Sequence, residues 1–334
     1  MAPFPALSVL DLSPVTLGGT QAQAVRATLE VGQAAERLGY RRFWMAEHHS
    51  MAQISSACPE VLIAALSQRT STIRLGSGGV MLPNYSPLKV AETFMELEAL
   101  APGRIDLGIG RALGADGRTG AALRSAGSEA FPRWFALLNA WLLDAAGKEP
   151  FPSGHSLSGI RASPSGPSHP DLYMLVSSEE SAAFAGAAGV GMVFAEFIAR
   201  REAAPAIAAY RAAFAPSPFR SEPIAAAALI AFAAESAEEA VRLDGPRRAS
   251  SLAFLEGRTE RFSSLEAAEA FLKEHAGDPL LEGVIARSLT GEASQVRAAL
   301  AGKAKRMGAD ELFVMSTGPD LRSRIRSLEL IAGR

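Results

Sequence analysis

Short apolar runs of strand length alternate with longer stretches of helical period along most of the chain, and this alternation limits the possible folds more than any other feature. Leu7 to Leu12 reads as a strand. The Leu17-Gly18-Gly19 turn leads into a helix from about Thr20 to Leu38, with Val25, Leu29, Gly32 and Ala35 on one face and Gly39 at its end. Tyr40 to Ala46 is a second strand, Pro59 to Arg69 a second helix, and Thr72 to Leu82 a third strand that is almost entirely apolar or glycine. Strands apolar on both faces suit a parallel sheet. Ser86-Pro87 supplies a cap and first helical residue for a helix to Leu100, and Pro102-Gly103 ends it before a fourth strand, Arg104 to Gly110.

From Gly114 to about His169 the regularity lapses around one helical stretch, Glu129 to Asp144, and the Pro/Gly/Ser-rich segment Pro150 to Pro170 reads as an excursion. Strand-like Leu172 to Val176, a helix from Ser178 to Ala188, strand-like Val190 to Ala195 and a helix from Ala203 to Phe214 resume the pattern. Ile224 to Ala233 is a seventh strand, although its alanines suit a helix about as well. Helical stretches at Glu235 to Leu243, Leu265 to His275 and Ser294 to Met307 lead to an eighth strand, Glu311 to Met315, and a last helix, Asp320 to Ile331. Such a series predicts one domain over residues 1–334, an α/β fold of the single (β/α)8 TIM-barrel kind, in preference to an open doubly wound sheet. Reactive residues then belong at the C-terminal ends of strands.

Charge excludes one class of function. With 33 Lys and Arg against 35 Asp and Glu, the net charge of −2 provides no positive field to gather nucleic-acid phosphates. The single cysteine, Cys58, cannot form an internal disulfide or a Cys-rich zinc site, and is expected to be small and at least half-buried. The opening MAPFPALSVLDLSP lacks the basic flank and long apolar stretch of a signal peptide, and the most apolar run, Ile224 to Ala234, is too short to cross a bilayer. A reducing, cytoplasmic location without membrane contact is expected.

The titratable residues gather at strand ends. After the second strand comes Glu47-His48-His49, where alternation allows at most one imidazole to point straight into the barrel mouth. Three roles stay open: an acid/base imidazole, a hydrogen-bonded structural pair, or a metal site, the last lacking matching ligands at other strand ends. Gly76-Ser77-Gly78-Gly79 in the third strand points to a bulge or close backbone approach beneath a flat ligand. Arg111, after the fourth strand, suits a phosphate or a solvated loop position alike. Ser177-Ser178-Glu179-Glu180-Ser181 opens a helix, where free N–H groups favour an anion and the glutamates complement the dipole. No Gly-x-Ser-x-Gly elbow, P-loop or His-Glu-x-x-His motif occurs, which disfavours hydrolase and kinase readings.

These strings, in this order, resemble the bacterial luciferase-like flavin-dependent monooxygenases. The resemblance rests on Leu7 to Pro14, Gly39 to Trp44 leading to Ala46-Glu47-His48-His49, Gly76 to Pro83 with Ser86 to Glu92, Gly103 to Arg111, Ala309 to Leu312 and Arg326 to Leu330. It implies a barrel that binds reduced FMN, supplied by a separate flavin reductase, and uses O2 through a C4a-peroxide to oxygenate a small hydrophobic substrate, such as a secondary metabolite. It implies His48, with Glu47 beside it, as the catalytic group and Gly78-Gly79 as the bulge under the flavin, often with a non-prolyl cis peptide. Arg111 would be the phosphate ligand, with Ser177, Ser178 and Glu179 holding the phosphate from the other side. His49, Glu196 and Phe197 would face the substrate, no metal would be needed, and a homodimer is common in the family. An F420-dependent oxidoreductase on the same barrel is the nearest alternative, followed by a flavin-binding protein without turnover and a metal-dependent hydrolase. Three positions depart from the pattern: Val176 replaces a usual glycine, Leu113 a proline, and Glu196-Phe197 a Ser-His pair. Pro246 to Ser263 corresponds to a mobile loop over the flavin and is expected to be a lid.

Overall fold

Nine parallel strands make one sheet in the computed structural model, which describes residues 4–199 and 201–334. Residues 1–3, which begin the segment judged to lack a signal peptide, lie outside the described residues. The strands are β1 (Ala6–Asp11), β2 (Arg42–Met45), β3 (Arg74–Met81), β4 (Ile105–Gly110), β5 (Asp171–Val176), β6 (Gly191–Ala195), β7 (Ala225–Ala234), β8 (Ser288–Glu292) and β9 (Glu311–Met315). Consecutive pairing from β1 to β7, then β7 to β9 and β9 back to β1, closes an eight-stranded barrel with the helices between strands packed outside it. Among the described residues no helix is long and apolar enough to cross a membrane.

Strand alternation divides the core into two layers. Along β2, Phe43 and Met45 point outward into the cluster shared with Val31, Leu62 and Phe94 of the helices, while Trp44 and Ala46 point inward with Leu10, Tyr173 and Phe313. Trp44 fills the barrel axis, its ring 4.5 Å from Phe313 and 5.1 Å from Tyr173. The alanines of β7 follow from this: Ala226 and Ala228 share the cluster with those rings, and small side chains complement large ones there. Their inward placement settles the strand reading of this segment against the helical one.

Beneath the rings, at the N-terminal ends of the strands, the barrel is closed by buried charge. Arg42 reaches Asp106 at 2.8 Å and Glu311 at 3.1 Å, Arg74 grips Asp106 at 2.6 and 2.9 Å, Trp44 Nε1 donates to Asp106 at 2.8 Å, and Ser8 donates to Glu311. Arg42, Asp106 and Glu311 are almost wholly shielded from solvent. Each carboxylate has several donors, as burial of charge requires.

Four details depart from expectation. β8 is an additional strand outside the barrel: β7 is ten residues long, its first half pairs with β9, and Ile230–Ala234 projects to pair with Ser288–Glu292. The sequence Ser-Leu-Thr-Gly-Glu has no apolar run, so its strand form depends on the partner supplied by β7. The segment Pro246 to Ser263 is helical as far as Leu255, because the helix Ala237–Leu255 continues through Pro246. Proline removes one helical hydrogen bond there, but Asp244 clamps Arg247 and Arg248 one turn on, and Ala249, Leu252 and Ala253 pack against Ala268, Phe271 and Leu281. Only the stretch after this helix, up to the cap Ser264, remains as a loop. Ser86 occupies the cap position before Pro87 without a side-chain capping bond, and Cys58 is exposed at the start of the helix Pro59–Ser67. The excursion after β4 holds the short helix Gly117–Ala122 and the helix Phe131–Ala145, with no helix or strand over residues 146–170.

Candidate active site

A cavity of 470 Å³ opens at the C-terminal mouth of the barrel, within the range of roughly 300–1,000 Å³ typical of small-molecule sites. Its walls come from the segments after β1, β2, β6 and β9 and from the helix and loop after β7, which places it where barrels assemble their chemistry. The lining is largely apolar, with Leu12, Phe197, Ile230, Phe254, Phe262 and Met315 among its residues. Arg324, fully buried, bonds Ser316 and pairs with Asp11 behind the Ser316–Gly318 wall.

The alternation of β2 runs on into Glu47-His48-His49 and separates the three side chains. His48 continues the inward face and lines the cavity. Its backbone N–H is fixed by the Ser56 carbonyl at 2.8 Å, and its Nδ1 is buried with no hydrogen-bond partner. Burial, with the neighbouring His49 adding to it, pushes its pKa down to about 4, so the ring is neutral at physiological pH. His48 also lines a second hollow of about 520 Å³ beside the helix Gln21–Arg37, and Met51 and Ile54 line both.

Glu47 and His49 do not line the cavity, against the expected catalytic and substrate-facing placements. Glu47 is wholly buried on the outward face and accepts from His49 Nε2 at 2.8 Å, the Met81 N–H at 2.9 Å, Tyr85 Oη at 3.0 Å and Asn84 Nδ2 at 3.3 Å. It ties the end of β2 to the turn after β3 and so positions His48 from behind.

Gly78 and Gly79 are joined by a cis peptide, and the β3–β4 register slips between Gly78 and Val80. Side chains are excluded there by contact: a Cβ on Gly78 would stand 2.6 Å from Leu10 Cδ1, and one on Gly79 2.8 Å from the Gly108 carbonyl oxygen. Arg111 is exposed directly beyond β4. Ser177 is exposed beyond β5, and Ser178 caps the helix Glu179–Ala187, accepting the Ser181 N–H at 3.2 Å, with Glu179 exposed in its first turn. β4 and β5 are paired neighbours, so Arg111 and Ser177 to Glu179 occupy one sector of the rim. By strand order that sector lies across the mouth from β9 and β1, and its residues do not line the cavity.

After β6 the two departing residues separate. Phe197 lines the cavity, whereas Glu196 pairs with Lys303 of the helix Ala293–Met307 and is absent from the wall. The expectation of a carboxylate on the substrate side is therefore corrected; the change brings in a phenyl ring alone. Sequence reasoning missed Arg247, Arg261, Arg287 and Thr317, all in the wall, with Thr317 Oγ1 buried and unpartnered. Arg247 lies in a helix that the sequence reads as broken at Pro246, and which of these side chains turn inward depends on packing between segments distant in sequence. Among the described residues no group of three or more His, Cys, Asp or Glu is placed to hold a metal ion.

An eight-stranded parallel barrel with a largely apolar cavity at its C-terminal mouth is the architecture on which barrel enzymes assemble their sites. A profile of the luciferase-like monooxygenases matches residues 7–311, and the chain belongs to that family. It is 37% identical over 331 residues to a luciferase-like monooxygenase of Escherichia coli (strain K12), covering 97% of this chain and 95% of that one. It is 39% identical over 268 residues to the N-acetyl-S-alkylcysteine monooxygenase of Bacillus subtilis (strain 168), covering 80% and 79%. The crystal structure of apo-MsnO8 superposes with a TM-score of 0.89 at 37% identity, covering 98% and 97%.

Proposed function

We propose that this chain is an FMN-dependent monooxygenase that transfers one atom of O2 to a small, largely hydrophobic organic molecule, with reduced FMN delivered by a separate flavin reductase. The observation that carries this reading is His48: a buried, neutral imidazole in the wall of a largely apolar cavity. The residues suit a flavin in that the wall is largely apolar, as a flat ring system requires, with His48 and Thr317 among its few polar members. When bound, reduced FMN supplies the electrons that activate O2. Arg111 and the helix start at Ser177, Ser178 and Glu179 would hold its phosphate, and the Gly78-Gly79 bulge would carry the ring. The protein's own part is to accept or return a proton at His48 and to keep water from the reacting atoms. The N-acetyl-S-alkylcysteine monooxygenase among the relatives supports a thioether-bearing substrate as the first to assay.

Anaerobic fluorescence titration with reduced FMN and reduced F420 tests the cofactor: tight binding of FMN alone supports the proposal, and tight binding of F420 alone replaces it with the deazaflavin reading. Oxygen uptake that yields only peroxide with every substrate tried would instead mark a flavin-binding protein without turnover.

Two predictions belong to this reading. Arg111→Ala should weaken FMN binding about tenfold or more while riboflavin binding stays unchanged, since a charge-assisted phosphate contact contributes about 1.5–3 kcal/mol. Equal FMN affinity in variant and parent would remove Arg111 from the phosphate site. The loop beyond Leu255 is the lid in its corrected, shorter form: Arg261 donates to the Gly19 carbonyl at 2.7 Å, and Arg261 and Phe262 line the cavity. Trypsin cleavage at Arg258 and Arg261 should slow when FMN is bound, and an unchanged cleavage rate would count against a lid.

A further inference from the structure

Arg111 heads a stretch with no helix or strand of its own, residues 111–116, between β4 and the helix Gly117–Ala122. Its backbone is nevertheless held at both ends. At the near end Gly110 pairs with Met81 across the β3–β4 ladder, and a Cβ there would stand 2.9 Å from Met81 Sδ. At the far end Asn84 Nδ2 donates to the Leu113 carbonyl oxygen at 3.0 Å, and the His49 N–H donates to the Gly114 carbonyl oxygen at 3.0 Å. Gly114 completes the fit with a φ of +65°, and a Cβ on it would stand 2.9 Å from the Glu47 carbonyl oxygen. Asn84 Nδ2 also reaches Glu47 Oε1 at 3.3 Å. A backbone carbonyl and a carboxylate both accept, so the amide must present its nitrogen to them. Through its other oxygen Glu47 takes the Met81 N–H at 2.9 Å, two residues beyond the Gly78-Gly79 bulge.

We propose that Asn84 is a positioning residue for Arg111: through Leu113 it fixes the loop that carries the guanidinium, and through Glu47 it registers that loop to the His48 segment and the end of β3. A guanidinium on a fixed backbone meets a phosphate without the entropy loss of ordering a loose loop, so the phosphate binds more tightly. Removing the amide frees the Leu113 carbonyl, whereas Glu47 keeps His49, Tyr85 and the Met81 N–H as donors, so the ring side of the site stays in register. The inference rests on the FMN reading and adds to it a residue that acts only through Arg111.

The test is anaerobic titration of the intact chain with reduced FMN and reduced riboflavin, in the parent, Asn84→Ala, Arg111→Ala and the double variant. Asn84→Ala should weaken FMN binding about fivefold or more and riboflavin binding less than about twofold. Asn84→Leu, which keeps the volume and lacks the donor, should behave in the same way. The double variant should bind FMN within about twofold of Arg111→Ala alone, because a residue that works through Arg111 has nothing left to position once the guanidinium is gone. Unchanged FMN affinity in the Asn84 variants overturns the proposal, as does equal weakening of FMN and riboflavin. Losses that multiply in the double variant, or an FMN loss in Asn84→Ala with none in Arg111→Ala, overturn it too. If the parent binds no FMN, the cofactor reading falls, and amide hydrogen exchange decides the role of Asn84 by itself. Faster exchange in Asn84→Ala confined to His49 and residues 111–116 then upholds the positioning, and unchanged exchange there overturns it.

Discussion

Replacing His48 by alanine should lower turnover by about 10²–10⁴-fold, the usual loss for a positioned acid/base group, while changing affinity for reduced FMN by less than about threefold. His48 lines the cavity, so its removal deletes the imidazole that would take or return the proton there. Because burial holds its pKa near 4, below the ordinary 6.5, the ring is neutral above about pH 5.5 and charges only as pH falls through 4. The parent's rate should therefore be flat with respect to this group from pH 6 to 8 and fall on the acid side. The same shift has a sign for stability: between about 6.5 and 4 the unfolded chain binds a proton that the folded one refuses, so stability is full above 6.5 and declines across that window. His48→Gln, which keeps hydrogen-bonding capacity without proton transfer, should remain as slow as His48→Ala. His49→Gln should instead cost stability more than rate, since His49 serves Glu47 behind the wall. Turnover within threefold of the parent in His48→Ala would show that the imidazole takes no part in the chemistry.

Asp106→Ala should destabilise the fold by about 3–5 kcal/mol, read as a lower urea midpoint at unchanged slope. The substitution strips the acceptor from Arg42, Arg74 and Trp44 Nε1 together and leaves a guanidinium buried at the closed end of the barrel. Glu311, on the far side of Arg42, supplies only part of the compensation. The arrangement explains how Asp106, adjacent in sequence to strand-forming isoleucine and leucine, is accommodated in a fully buried strand. A loss under about 1 kcal/mol would mean that water or a neighbouring carboxylate replaces the acceptor.

Alternation made most of the barrel legible, and carried through 43–49 it allowed at most one of the two histidines into the mouth; that this is His48, with His49 outside the cavity, came from the structure. The glycine-rich third strand was readable because a string such as Gly-Ser-Gly-Gly has no propensity reason to lie in an apolar strand. What escaped depended on partners distant in sequence. β8 is polar and extended only because β7 overshoots its neighbours. The proline at 246 reads locally as a break, and only the Asp244–Arg248 clamp and the packing below it keep the helix intact. The same misreading hid Arg247, since a residue in a supposed loop has no predictable facing. Glu196 and Phe197 are adjacent, yet Lys303, more than a hundred residues on, decides that the carboxylate turns away from the cavity.

The most direct measurement is a crystal structure with FMN soaked under reducing conditions. The ring should occupy the cavity beside His48, and the phosphate should contact Arg111 and the helix start at Ser178. A flavin seated away from His48, or a phosphate on the Arg247 and Arg261 side of the mouth, would contradict the assignment of this cavity to oxygen transfer.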